Sequence, residues 1–164
     1  MKHKEVDKNS INITRRNLPH WQIGESWYFI TFRTKSGFKL SGGAKDAVLN
    51  SIKHDNGKRY QLSIAVVMPD HSHLILKPLK SDGDKYFSLG KILWLIKGTS
   101  ARKINLMEGR EGALWQDESF YRIIRDEKEW RGKHEYIRNN PVKAGLAERA
   151  EDYPWLNELH DSKR

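Results

Sequence analysis

The stretch "YQLSIAVVMPDHSHLILKPL", residues 60–79, decides how this chain folds. Two apolar runs, "YQLSIAVVM" (60–68) and "HSHLILKPL" (71–79), are separated only by Pro69-Asp70. Runs of this length, rich in branched residues and bounded by a turn-forming pair, read as strands. The short break makes them antiparallel neighbours, although Pro-Asp is not a tight-hairpin pair of the Asn-Gly kind.

On either side the same periodicities alternate. "SWYFITFRT" (26–34) is aromatic and β-branched and reads as a strand. "SGGAKDAVLNSIKHDNGKRY" places Ala44, Ala47, Val48 and Ile52 at helical spacing before the Asn56-Gly57 stop, a helix of about three turns. Residues 87–107 carry Leu89, Ile92, Leu93, Ile96 and Ile104 at helical spacing, with a basic side and a bend expected near Gly98. A Gly-punctuated connection (108–120) leads to a last helix over 121–141, with Ile123, Trp130 and Ile137 seven apart and Pro141 closing it. Strand, helix, strand, strand, helix, helix predicts an α+β fold, ferredoxin-like, with an antiparallel sheet and helices on one face. The 164 residues fit one domain, with residues 1–20 a loose basic arm and 142–164 an irregular tail that folds Trp155 back onto the body.

Composition narrows the partners. Thirty Lys and Arg against twenty-one Asp and Glu give a formal charge of +9, which favours a polyanion. With no cysteine, neither disulfides nor a thiolate centre can be invoked. The N-terminus has no apolar stretch for a signal peptide and no window suits a membrane span, which points to a cytoplasmic protein and no membrane partner.

His71 and His73 are two apart in a strand, so both imidazoles present on one face and can share a cation. Imidazole suits several transition metals, so the pair does not name its metal; by itself, a histidine pair beside a turn is more often solvated than ligating. Tyr136 and Asn140 lie i to i+4 on the last helix, away from the Ile123/Trp130/Ile137 stripe. An amide oxygen from Asn140 would complete a ligand set, with the Tyr136 phenol nearby as a nucleophile for phosphoryl transfer. A phenol with a pKa of about 10 needs such a cation to react at neutral pH. Ser72 should face away from the metal. Arg15, Arg16, Lys91, Lys97, Arg102 and Lys103 are each more often solvated surface charges than contacts, but as a cluster they are the candidate set for phosphate contacts, and the resemblance described next makes that phosphate DNA. Trp115 reads as core, and His20 and His134 as structural or solvated.

"MPDHSHL" (68–74) resembles the paired-histidine motif of the HUH (histidine-hydrophobe-histidine) nucleases, with Ser72 where that motif has its hydrophobe. "YIRNNPVKAGL" (136–146) resembles the tyrosine segment of their single-tyrosine transposases, and "RRNLPHW" (15–21) the start of the REP-associated tyrosine transposases. The resemblance runs in order from about Arg15 to Trp155. It implies His71, His73 and Asn140 as metal ligands, Mg2+ or Mn2+ as cofactor, and Tyr136 as nucleophile. The implied activity is cleavage and rejoining of single-stranded DNA beside hairpin or palindromic elements, through a 5′-phosphotyrosine, in a nucleoid-associated bacterial protein. Both a homodimer and a monomer fit it. Outside the resemblance stand a catalytically silent DNA- or RNA-binding module and a phosphodiesterase that uses water.

Overall fold

In the computed structural model the described residues are 11–16, 18–23 and 25–159, with side chains described for 25–159. Strands β1 (Ile11–Arg16) and β2 (Leu18–Ile23) pair as an antiparallel hairpin where the sequence suggested a loose arm. The body then runs β3 (Tyr28–Arg33), α1 (Gly42–His54), β4 (Tyr60–Val67), β5 (His71–Pro78), α2 (Leu89–Glu108), β6 (Phe120–Ile123), α3 (Glu127–Lys143) and β7 (Leu156–Glu158). The five body strands form one antiparallel sheet in the order β6-β3-β5-β4-β7. Strands β3, β4, β5 and β6 with α1 and α2 make the split β-α-β arrangement of a ferredoxin-like α+β fold.

Helices cover both faces of this sheet, not one. Tyr28, Ile30, Phe32, Leu74 and Leu76 pack with α1 and α2, while Phe29, Ile75 and Val66 pack with Ile137 of α3. Strands apolar on both sides require this: β4 is buried along almost its whole length, and one open face would leave that area in water. A bulge between Leu62 and Ile64 of β4 re-phases its alternation, so Ile64 and Val66 turn to α3 and Ala65 and Val67 to α1 and α2. No helix of the described residues is long and apolar enough to cross a membrane.

The last helix departs most from its sequence reading. Residues 120–123 pair with β3, so Ile123 belongs to a strand, and α3 begins only after Asp126, whose carboxylate accepts from the Glu129 N–H at 2.8 Å. Pro141 does not end the helix. Its fixed φ is helical, and it forfeits one bond in a last turn that Ala144 N–H to Asn140 C=O (3.0 Å) and Leu146 N–H to Pro141 C=O (2.9 Å) still hold. Gly145, at φ 72°, takes the left-handed position that closes it. Helix α2 runs without a break through Gly98. The segment expected as an irregular tail contains a 3-10 turn (Ala150–Asp152) and β7, which adds an edge to β4. Trp155 folds back as expected, its indole N–H donating to Asp46 at 2.8 Å.

Ser72 faces the α1 and α2 side, as the alternation requires. It is 0% exposed and, among the described residues, its hydroxyl has no hydrogen-bond partner. Such a group carries its desolvation cost without compensation. Ser72→Ala should therefore raise unfolding free energy by about 1 kcal/mol, read from urea denaturation; a loss of stability would show that the hydroxyl is satisfied in solution.

Candidate active site

Strand alternation sends His71, His73 and Ile75 of β5, and Phe29 and Thr31 of β3, to the α3 face. His73 stands opposite Thr31, whose Oγ1 lies 2.7 Å from its Nδ1. In the tautomer that donates Nδ1–H to Thr31, Nε2 offers a lone pair, and among the described residues Nε2 has no partner although His73 is only 3% exposed. His71 is fixed in the same way, its Nδ1 lying 2.6 Å from Asp70 Oδ1, which leaves Nε2 to point elsewhere. The two rings lie 4.8 Å apart, centroid to centroid, at 75°. Carboxylate or hydroxyl behind each imidazole is the outer support that metal-binding histidines use.

Charge states suit ligation. Burial, followed by the charges of His71, Arg33 and Lys133, pushes the His73 pKa down to about 3, so the ring is neutral near pH 7. Hydrogen bonds from His71 and from Lys39, whose Nζ sits 3.0 Å from Oδ2, hold the Asp70 carboxyl down to about 2.

Tyr136 of α3 completes the cluster. Its ring centroid is 5.4 Å from His73 and 6.1 Å from Phe29, which itself stacks on His73 at 5.6 Å. Tyr136 remains 44% exposed while its neighbour Ile137 is fully buried, so the helix is anchored by one residue and presents the phenol with the next. Lys133, one turn earlier, holds its ammonium 4.7 Å from the Phe29 centroid. Asn140 shares the Tyr136 face one turn on, half-buried; among the described residues no hydrogen bond joins its amide to either imidazole. No group of three or more His, Cys, Asp or Glu that could hold a metal ion gathers among the described residues.

The proposed phosphate-contacting residues are dispersed. The side chains of Arg15 and Arg16, like that of His20, lie outside the described ones. Lys91, Lys97, Arg102 and Lys103 sit on α2, across the sheet from α3. Lys91 is exposed, its Nζ 4.3 Å over the Trp94 ring, and Arg102 is exposed too. Lys103 lines a groove of about 720 Å³ with His54, Lys58 and Arg59. Lys97 donates to the carbonyls of Gln116 (2.6 Å) and Asp117 (3.3 Å) and to Ser119 Oγ (3.2 Å), tying down the approach to β6. Trp115 is core, its indole N–H donating to Ser100 Oγ at 3.0 Å. His134 stacks on Trp130 and lies 3.7 Å from Glu158, a structural place.

Sequence reasoning missed Thr31, Asp70, Phe29 and Lys133. Asp70 was legible as the neighbour of His71, and Lys133 as the residue one helical turn before Tyr136. Thr31 and Phe29 emerge only from the register of β3 on β5.

No family model matches the chain. A Haemophilus influenzae protein named as a REP-associated tyrosine transposase is 29% identical over 102 residues, 59% of this chain and 58% of that protein, so the match spans less than two thirds of the relative's length. A solved structure of a REP-associated tyrosine transposase bound to a REP hairpin superposes with a TM-score of 0.68 at 22% identity, covering 87% of this chain and 82% of that one. In sequence and in fold, the chain is similar to the REP-associated tyrosine transposases. At that identity the solved relative speaks for the fold alone.

Acid should expose the buried imidazole. Unfolded His73 titrates near 6.5 and the folded ring near 3, so the unfolded chain binds the extra proton between those values and stability falls as pH drops through that window. Asp70 adds the same sign lower down, between 3.8 and about 2. Denaturant midpoints of the metal-free protein should fall from pH 7 to pH 4.5, and fall less in His73→Gln; parallel losses would place the imidazole in water.

Proposed function

We propose that the chain is a metal-dependent endonuclease and strand transferase acting on single-stranded DNA beside hairpin or palindromic elements. The observation that carries this reading is the buried Nε2 of His73, without a hydrogen-bond partner among the described residues, beside His71 and in ring contact with a half-exposed tyrosine. The resemblance to transposases, one of them bound to a REP hairpin, supports hairpin DNA as the partner.

The donors suit one divalent cation: His71 and His73 through Nε2, and Asn140 through its amide oxygen. Mn2+ accepts imidazole more readily than Mg2+, which prefers oxygen. Such an ion supplies Lewis acidity at the scissile phosphate and stabilises the charge that builds there. Thr31 and Asp70 fix the imidazoles, and Phe29 supports the phenol. Lys133 adds a cation on the face that the phosphate approaches.

The Tyr136 oxygen attacks phosphorus and forms the new P–O bond while the bond to the 3′ oxygen breaks. The phenolic proton leaves to solvent and the departing oxygen takes one up. The products are a 5′-phosphotyrosine and a free 3′-OH. Attack by a second 3′-OH restores the phosphodiester and returns the phenol, so no nucleotide cofactor is consumed. This reading places the protein with DNA in the cytoplasm.

Incubating the protein with a labelled hairpin oligonucleotide and Mn2+ should give cut DNA and a band shifted by the mass of the protein on a denaturing gel. Tyr136→Phe should lose both by at least about a thousandfold, as for removal of a nucleophile, while still binding the hairpin. His71→Ala and His73→Ala should weaken metal affinity, read by Mn2+ titration, by at least about tenfold. Binding with neither cut nor adduct would instead favour a silent nucleic-acid-binding module, and cutting without adduct a water-using phosphodiesterase.

A further inference from the structure

Phe120 is the first residue of β6 and is 59% exposed. Its Cα partner is Thr31, and Thr31 in turn pairs with His73. Direct partners in antiparallel strands share a face, so Phe120, Thr31 and His73 form one row across the sheet, on the side that faces α3. Two strand spacings separate Phe120 from His73, about 10 Å. The ring meets Phe29 edge-on at 6.3 Å, and Phe29 touches both His73 and Tyr136.

An exposed phenyl group leaves apolar area in water, and this one is held in place. Lys97 fastens the carbonyls of Gln116 and Asp117 and the hydroxyl of Ser119, the Gln116 N–H donates to Arg33 C=O at 2.9 Å, and β6 is then paired to β3. On its other side β6 has no strand neighbour among the described residues. Lys133 sits over Phe29, which the Phe120 ring touches, and Arg122, two residues on along β6, pairs through its Nε with Glu129. A fixed aromatic face near a cation is how proteins hold an unpaired base whose phosphate lies close by.

We propose that Phe120 is a base-stacking residue, receiving an unpaired nucleobase next to the phosphate that Tyr136 attacks. This rests on the tyrosine-nuclease reading and adds a nucleotide subsite to it. Stacking of this type tolerates any base, so Phe120 sets the position of the strand, not its sequence.

The test uses a hairpin oligonucleotide whose unpaired flank carries a fluorescent adenine analogue, moved one position at a time. In the uncleaving Tyr136→Phe protein, one flank position should be quenched on binding. Adding Phe120→Leu, which keeps apolar bulk but removes the ring face, should abolish that quench, and Phe120→Trp should retain it. With Tyr136 intact, Phe120→Leu should raise KM for cleavage about tenfold, with a smaller change in kcat. Unchanged quench and KM in Phe120→Leu, beside a wild type that cleaves, would overturn the stacking role and leave the nuclease reading standing. A wild type that neither binds nor cuts would remove both. A Phe120→Leu change in sedimentation without a change in quench would assign the ring to a contact between copies of the chain, and overturn the proposal equally.

Discussion

The register of β5 on β3 is the constraint from which the site follows. With His73 opposite Thr31, both imidazoles face α3 and each acquires a partner at Nδ1. A slip of one residue would turn every side chain over, sending two imidazoles into the packing of α1 and α2 and the apolar Leu74 towards α3. The cores forbid it: Leu74 and Leu76 are needed on one side, and Ile75 on the other. Burial that stabilises the sheet therefore also aims the histidines.

Tyr136 is positioned by a second attachment. Helix α3 sits on the sheet through Ile137 and is bound to the chain that follows it, with Arg138 reaching Glu151 and Glu158 at 3.3 Å each. Tyr153 stitches that following segment to β4, donating its hydroxyl to Val67 C=O at 2.7 Å. One side of the site is thus built into the central strands, and the other rides on a helix held by its own C-terminal extension.

Much of this was legible in the sequence because alternation and helical spacing are local signals. The histidine pair, the Tyr136–Asn140 spacing, the two central strands and the order of elements could all be read directly. What escaped depends on tertiary pairing. A continuous apolar run such as β4 does not display its bulge, nor that it is covered on both sides. Residues 120–123 read as the start of a helix because Ile123, Trp130 and Ile137 happen to fall seven apart; the edge of β3 captured them for the sheet instead. Charge was the least legible signal, because Lys, wherever it lies, looks the same in sequence. Lys97 braces a loop, while Lys133, unremarked, stands over the Phe29 ring.

The ion pairs of Arg138 are partly exposed, and so is the carboxylate of Glu151. Dissolved ions screen such pairs over about 10 Å at 0.1 M ionic strength. Added salt would loosen the fastening of the tyrosine helix and, on the nuclease reading proposed above, would also compete with the protein for the counterion-rich backbone of DNA. On that reading cleavage would fall more steeply with ionic strength than DNA affinity does, because His71 and His73, set in the sheet, would keep their places while Tyr136 drifted from them.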